Sequence, residues 1–183
     1  MKAYKDIPIF PLKSIILPGG QFPLRIFERR YLDMTRDCLK NNNGFIIALT
    51  KRDSDYISSV YDYASYVEIV DWSQLDGGLL GITVEGKQIV KLSNCNLDEC
   101  NLLKGDAEEV EYGVDYLVPQ KYQILSKFYK KIYPEIKAYI FHIKPKYNDA
   151  NWLGFRLIEC LPIELNDKAD LISMQEPLDR LER

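Results

Sequence analysis

Histidine and cysteine, the residues most often used for nucleophilic catalysis and zinc binding, are scarce in this sequence. His142 is the single histidine among 183 residues, and it lies between Phe141 and Ile143 with no catalytic motif around it. Cys95 and Cys100 have four residues between them, which is not the spacing of a zinc ribbon or knuckle. We therefore expect no catalytic residue, no metal site and no cofactor, and interpret His142 as a structural or surface residue.

Positively charged residues are outnumbered by negatively charged ones. The chain has 24 lysines and arginines and 27 aspartates and glutamates, so its net charge is −3. Nucleic-acid binders need a basic face that neutralises phosphates, so this balance counts against nucleic acid as the partner. Apolar runs such as residues 45–49 are far shorter than the roughly 20 residues of a membrane helix, and no apolar signal segment follows Lys2 and Lys5. These absences predict a cytoplasmic protein with reduced cysteines and no membrane partner.

Proline, by contrast, punctuates three short apolar stretches at the start of the chain. Because proline removes a ladder donor, strands that contain it are expected at a sheet edge or at bulges. Pro18, followed by two glycines, predicts a tight turn. The stretches predicted as strands are DIPIFPL, SIILPGG and QFPLRIF.

The period becomes helical from residue 28 to about residue 40, where Tyr31, Met34 and Cys38 share one face. The Asn-rich run 41–44 is expected to end this helix, because Asn and Gly tolerate the left-handed C-cap conformation. Four apolar stretches then predict antiparallel strands that close into a barrel or rolled sheet. They are GFIIALTK, ASYVEIVDW, GGLLGITVEG and KQIVKL, with turns predicted at Gly77-Gly78 and Glu85-Gly86.

The remainder of the chain is predicted to be helical. Acidic residues between 106 and 115 are interpreted as a solvated connection, after which Pro119 opens a helical stripe that Pro134 is expected to break or kink. A second stripe over residues 136–143, a third helix over NDANWLGFRLIECLP and a fourth from about Asn166 follow. Ser173 and Glu176 have the capping-box spacing for a last helix.

Two other patterns have competing interpretations. Gly81 to Lys87 fits G-x-x-x-x-G-K, but Gln88 replaces the Ser or Thr that would hold magnesium, so a hairpin turn is favoured over a phosphate loop. The clustered Tyr56, Tyr61, Tyr63 and Tyr66 fit cross-strand packing with a tyrosine-rich loop, or a binding surface.

The segment IPIFPLKSIILPGGQFPLRIFERRYLDM resembles the opening of the N-terminal domain of Lon proteases (ATP-dependent protease La). The shared pattern is Phe-Pro-Leu, a Pro-Gly turn, and a Pro-Leu strand that ends in Ile-Phe-Glu-x-Arg-Tyr. VEIVDW, GGLLGITVEG and NWLGFRLIECLPIE resemble later parts of stand-alone bacterial members. The pattern residues here are Phe10, Pro11, Leu12, Pro18, Gly19, Pro23, Leu24, Ile26, Phe27, Glu28, Arg30 and Tyr31.

The resemblance implies an α+β fold, in which a β-rich, PUA-like pseudo-barrel with one inserted helix is followed by a helical bundle. Residues 1–112 are expected to form the barrel subdomain and residues 113–183 the helical subdomain. In full-length Lon, this domain helps to select substrates, while ATPase and Ser–Lys protease domains carry out the chemistry. A chain of 183 residues has no room for either, so we expect no enzyme activity.

The implied function is a non-catalytic module that binds unfolded or tagged protein or peptide, or a protease in trans, as an adaptor or regulator. Shallow apolar contact in a groove between barrel and helices is the expected mode. RNA binding by a PUA-like module and a small hydrolase with an unrecognised site are the alternatives. The candidate peptide-binding residues, by resemblance, are Pro11, Pro18, Pro23, Phe27, Glu28, Arg30 and Tyr31.

The same motif residues also have an architectural interpretation. The three prolines are expected to shape the opening of the barrel. Phe27 and Tyr31 are expected to pack the first helix onto the sheet. Glu28 and Arg30 are expected to cap that helix or to pair at its start, where a carboxylate suits the helix dipole.

Overall fold

A mixed sheet and a set of helices make up the structure, which confirms the α+β class. The computed structural model describes residues 1–51, 59–113, 116–137 and 144–183. The strands in these ranges are β1 (Ala3–Leu12), β2 (Gln21–Ile26), β3 (Phe45–Leu49), β4 (Tyr63–Gln74), β5 (Leu80–Leu97) and β6 (Leu103–Glu109). The helices are α1 (Arg29–Asn41), α2 (Gln123–Ile136), α3 (Ala150–Cys160), α4 (Leu165–Ser173) and α5 (Pro177–Glu182).

Strand pairing in the sheet closes on itself. β1 pairs with β3 in parallel and with β6 antiparallel, while β4 joins β3 to β5. β5 also pairs with β6, so β1, β3, β4, β5 and β6 form a closed ring. This ring is the barrel that the strand spacing predicted. β2 lies outside the ring and pairs with the first part of β5.

The opening segment departs from the prediction in two ways. Ile15 to Leu17 do not form a strand; they are a buried irregular segment between two hydrophobic clusters. β1 is not an edge strand either, because it has a partner on each side. Pro8 lies only opposite β6 and Pro11 only opposite β3, so each proline meets one ladder. The expected bulge is present as a register shift in β1 before Ile7.

The turn predicted at Glu85-Gly86 is wrong, because β5 runs unbroken through both residues. Tyr66 pairs with Gln88 and Val67 with Gly86, so the intervening Lys87 forms a bulge that bends the strand. A Cβ on Gly86 would lie 2.4 Å from the Leu17 carbonyl oxygen. The glycine therefore admits a close backbone approach, and the G-x-x-x-x-G-K segment is a strand rather than a turn or phosphate loop.

The acidic segment is also different from the solvated connection that we predicted. Asp106, Glu108 and Glu109 lie on β6, which is itself one of the strands of the ring. Hydrogen bonds from Asn94 and Lys5, each 2.9 Å long, lower the pKa of Asp106 to about 2. The carboxylate thus ties three strands together at the barrel surface.

Helix α1 buries Tyr31, Met34 and Cys38 as predicted, and Asn42 ends it in the left-handed conformation. Helix α2 starts after Pro119, also as predicted, but it continues through Pro134 to Ile136. Pro134 lies in the last turn, so only two helical residues follow the position where its missing N–H interrupts the hydrogen-bond pattern. The second stripe over residues 136–143 falls mostly outside the described residues.

The last three helices follow the predicted pattern more closely. Asp149 caps α3 by accepting a hydrogen bond from the backbone N–H of Trp152. Helix α4 begins near the predicted position, whereas α5 has Glu176 rather than Ser173 at its N-cap. Ser173 ends α4 and donates its hydroxyl to the Asp170 carbonyl oxygen instead.

A shared apolar cluster joins the barrel to the helices. Leu17 and Ile89 from the barrel side contact Phe155 and Ile158 of α3 and Ile172 of α4. The division at residue 112 stays a prediction. Within the described ranges, no helix combines the length and apolar character that crossing a membrane requires.

Candidate functional site

A groove of about 800 Å³ opens where the ends of β1, β2 and β3 meet the starts of α1 and α4. We call it the motif groove, because five of the seven candidate binding residues line it: Pro11, Phe27, Glu28, Arg30 and Tyr31. The other lining residues are Phe10, Leu12, Lys13, Leu24, Arg25, Ile26, Thr50, Lys51, Ile163, Glu164 and Leu165.

The floor of the motif groove is apolar and firmly packed. The rings of Phe10 and Tyr31 have centroids 4.1 Å apart, and Leu24 and Ile26 are buried beside them. Burial is the main cause that raises the pKa of the Tyr31 hydroxyl, so this residue is neutral at physiological pH. The parallel pairing of β1 and β3 brings their ends together, where the Thr50 N–H donates to the Leu12 carbonyl at 2.9 Å.

Phe27 does not pack α1 onto the sheet, contrary to the architectural prediction. Its side chain is 68% exposed, whereas Tyr31 is buried and makes the helix–sheet contact. Leu24 and Ile26 face the core on alternate positions of β2, so the next residue turns towards solvent. A large exposed aromatic ring in a concave apolar site is typical of a binding surface.

Glu28 and Arg30 form an ion pair at the start of α1, as predicted. Glu28 occupies the N-cap position, but its side chain makes no capping hydrogen bond, so the capping alternative is wrong. Arg30 also donates to the Asn101 carbonyl at 2.9 Å, and its guanidinium lies 4.9 Å from the Tyr31 ring centre. The pair therefore ties the β5–β6 connection to one wall of the groove.

Pro18 and Pro23, the other two candidates, lie outside the motif groove. Pro18 lines a second cavity of about 470 Å³, beside Trp152 and Phe155 of α3. Pro23 is exposed on β2. The Gly86 N–H donates to the Gly20 carbonyl at 2.9 Å, so the antiparallel alternation turns Pro23 towards the unpaired edge. Because proline has no backbone N–H, Pro23 removes a hydrogen-bond donor from that edge and makes the edge less able to pair with a strand of another chain.

The chain is similar to known proteins in both sequence and fold. A family model described as the ATP-dependent protease La (LON) substrate-binding domain matches residues 6–183. The chain belongs to this family. A solved Lon N-terminal domain protein from Xanthomonas campestris is 26% identical, with a TM-score of 0.79 over 100% of this chain and 96% of that one. The N-terminal domain of the Mycobacterium avium complex Lon protease, at 16% identity and a TM-score of 0.63, covers 99% of this chain and 95% of its own and shares the fold.

Two curated Lon proteases are similar over nearly the whole of this chain. Lon protease 3 of Sorangium cellulosum (strain So ce56) is 24% identical in an alignment 190 residues long that covers 97% of this chain and 22% of the relative. The Lon protease of Buchnera aphidicola subsp. Acyrthosiphon pisum (strain APS) is 19% identical in an alignment 187 residues long that covers 96% of this chain and 24% of the relative. The chain thus spans about a quarter of the length of these relatives.

Part of the lining of the groove in this Lon-family chain was missed by the sequence analysis. Lys13 and Lys51 follow the last paired residues of β1 and β3, and Arg25 lies on β2. Their only signal is a position next to an apolar stretch, which many surface lysines share. The wall formed by residues 163–165 comes from the end of the connection between α3 and α4 and from the first residue of α4, and no local pattern links it to the opening motif.

A buried ion pair beside the β1–β2 loop was missed as well. Arg156 on α3 contacts Glu159 at 2.9 Å and donates to the Leu17 carbonyl oxygen at 3.0 Å. A Cβ on Gly20 would lie 2.6 Å from the Glu159 carboxylate, which explains the second glycine of the Pro-Gly-Gly turn. An Arg and a Glu three apart in an otherwise apolar helix were the available signal.

Desolvation has the largest effect on the pKa of the Glu159 carboxyl in this ion pair. Burial raises the pKa of Glu159 to about 7, although Arg156, the Leu17 N–H and Lys168 all favour the charged form. Glu159 Oε2 and two guanidinium nitrogens of Arg156 have no hydrogen-bond partner among the described residues. The pair therefore holds the β1–β2 loop in place at a cost in desolvation.

The residue types that could act as nucleophiles or metal ligands, and the clustered tyrosines, do not gather at the motif groove. Its lining in the described residues contains Thr50 and two lysines, but no serine, cysteine or histidine. Tyr66 is buried and accepts a hydrogen bond from the Gly44 N–H at 2.9 Å, while Tyr61 and Tyr63 pack against an apolar cluster. His142 and Tyr56 lie outside the described residues. Among those described, no group of three or more His, Cys, Asp or Glu could hold a metal ion.

Proposed function

We propose that this chain is a cytoplasmic, non-catalytic module that binds unfolded or tagged protein segments in the motif groove. The observation that carries the proposal is Phe27, whose ring is 68% exposed inside the groove rather than packed. The family to which the chain belongs is described by substrate binding, and the groove occupies the segment through which the resemblance to Lon is strongest.

The dimensions and composition of the groove support a peptide ligand. A volume of about 800 Å³ lies within the roughly 300–1,000 Å³ of ligand-binding clefts. Apolar side chains form the floor, while polar and charged groups stand at the rim. One large side chain of an unfolded segment would fit against Phe27, and the rest of the segment would contact the walls.

The resemblance to Lon proteases supports a role next to proteolysis rather than in it. An adaptor would hold a substrate, and a regulator would contact the protease itself in trans. Both roles use the same binding surface, and neither needs a reactive centre in this chain.

The test is binding of a fluorescently labelled, permanently unfolded model protein to the wild type, to Phe27→Ala and to Phe128→Ala. Phe128 is the matched control, because it is also an exposed phenylalanine (42%) but lies on α2, away from the groove. Loss of an aromatic anchor is expected to weaken binding about tenfold or more for Phe27→Ala. Binding by Phe128→Ala should stay within about twofold of the wild type. Absence of binding, or equal losses in both variants, would contradict the proposal.

A further inference from the structure

The charges at the rim of the motif groove indicate which segments it selects. We infer that the groove prefers segments in which large apolar side chains are flanked by aspartate or glutamate. This inference rests on the proposed function and names its substrate class.

Cationic side chains outnumber anionic ones in the groove lining. The lining contains two anionic side chains, Glu28 and Glu164, and four cationic ones: Lys13, Arg25, Arg30 and Lys51. The chain as a whole carries a net charge of −3, so the groove has the opposite sign to the protein around it. A local excess of one sign in a cleft focuses the electrostatic potential on a ligand of the other sign.

Three of these cations are available to a ligand. Arg30 is paired with Glu28, whereas Lys13, Arg25 and Lys51 are exposed and make no ion pair with the described residues. The amine of Lys51 lies 5.8 Å from the Tyr61 ring centre, which is a cation–π contact and not a hydrogen bond to an acceptor. Carboxylates of a bound segment would therefore meet positive charge that no ion pair among the described residues neutralises.

The positions of the cations surround the apolar floor. Lys13 and Lys51 follow two parallel strands whose last residues, Leu12 and Leu49, are in register. Arg25 belongs to β2, a different wall of the groove. An apolar side chain that contacts Phe27 would thus have cations near it in the lining. A basic segment would meet like charges and be disfavoured.

The experiment uses fluorescence anisotropy with four peptides of equal length. The first combines Phe and Leu with Glu; the second replaces Glu by Gln; the third replaces Glu by Lys; and the fourth keeps Glu but replaces Phe and Leu by Ser. We expect the first to bind about tenfold more tightly than the second, with the third weakest, and the difference to shrink at high salt.

The matched variants separate charge at the groove from charge elsewhere. The triple variant Lys13→Gln, Arg25→Gln and Lys51→Gln should bind the Glu peptide and the Gln peptide equally well, so that the advantage of the Glu peptide is lost. The control is Lys127→Gln, Lys131→Gln and Lys137→Gln, exposed lysines on or next to α2. This control changes the net charge equally and should retain the advantage.

Each contrary outcome has a distinct meaning. Equal binding of the Glu and Gln peptides would overturn the inference and leave the proposed function standing. No binding of any peptide would overturn both. Equally tight binding of the Ser-containing acidic peptide, or of a short RNA, would show that the groove attracts anions in general and would also overturn the inference.

Discussion

The carboxylate of Glu159 accepts a hydrogen bond from the backbone N–H of Leu17 at 2.6 Å, across 142 positions of the sequence. Arg156 completes the contact by donating to the Leu17 and Pro18 carbonyl oxygens at 3.0 and 3.2 Å. The two side chains therefore fix the loop that leads into β2, which forms part of the motif groove.

Removal of one partner of this buried pair should be severe. At about pH 8, above the raised pKa of Glu159, Glu159→Ala leaves the Arg156 guanidinium buried without a counter-charge, and we expect a loss of about 3–5 kcal/mol in the free energy of unfolding. Exchange of both residues, Arg156→Met with Glu159→Leu, should cost much less. Urea denaturation measures both. A loss below about 1 kcal/mol for Glu159→Ala would show that the pair does not hold the loop.

Stability should depend on pH through the same carboxyl group. Burial raises the pKa of folded Glu159 to about 7 from an ordinary 4.5. Between these values the folded chain binds more protons than the unfolded chain, so stability falls as pH rises through this window. Glu159→Gln cannot titrate. The wild type should therefore lose stability relative to Glu159→Gln as the pH rises from about 5 to about 8 in denaturation experiments. A constant difference would contradict the raised pKa.

Gly20→Ala should destabilise the protein by about 2 kcal/mol. The added Cβ would lie 2.6 Å from the Glu159 carboxylate and 2.9 Å from Arg156, both held by the buried pair. Gly154→Ala on α3 is the control, because its added Cβ would lie no closer than 3.2 Å to the Arg180 side chain. Thermal melts of both variants decide the matter: a Gly20→Ala protein as stable as the control would mean that the loop can move.

Truncation of Phe27 to alanine should change the free energy of unfolding far less than truncation of Tyr31. Phe27→Ala is expected to change the free energy of unfolding by about 0.5 kcal/mol or less, because the ring is 68% exposed. Tyr31→Ala should cost about 3–5 kcal/mol, since its ring packs on Phe10. Chemical denaturation gives both values. A large loss for Phe27→Ala would restore the architectural interpretation of this residue and weaken the case for binding.

Tyr66→Phe should cost about 1–3 kcal/mol by leaving the buried Gly44 N–H without its acceptor. Tyr63→Phe, on the same strand but only partly buried, is the control and should be close to neutral. Comparison of the urea midpoints is sufficient, and similar values for the two variants would contradict a stabilising role for this hydrogen bond.

The sequence predicted elements whose signal is local. Helix α1 and helix α3 were identified because their apolar residues recur with the helical period, and Asn42 ends α1 for a reason that depends on its own backbone. Gly86 was misinterpreted because its neighbour in space is Leu17, and no local pattern distinguishes a glycine in a turn from one that admits another chain segment.

The candidate site shows the same division between local and distant causes. The motif named Pro11, Phe27 and Tyr31 because they lie in one continuous segment, and the structure brings them to one groove. Lys51 and Leu165 join them only through strand pairing and helix packing. The architectural interpretation placed Phe27 between α1 and the sheet, whereas its outward position follows from the alternation along β2.

β2 is attached to the sheet through β5 alone, while each ring strand has at least two neighbours. Detachment of β2 breaks one ladder and leaves the closed ring whole, so its amides should exchange with solvent before those of β3 or β4. The most easily loosened strand of the sheet is therefore the one that carries Arg25 and leads into Phe27, and an occupied groove would slow its exchange.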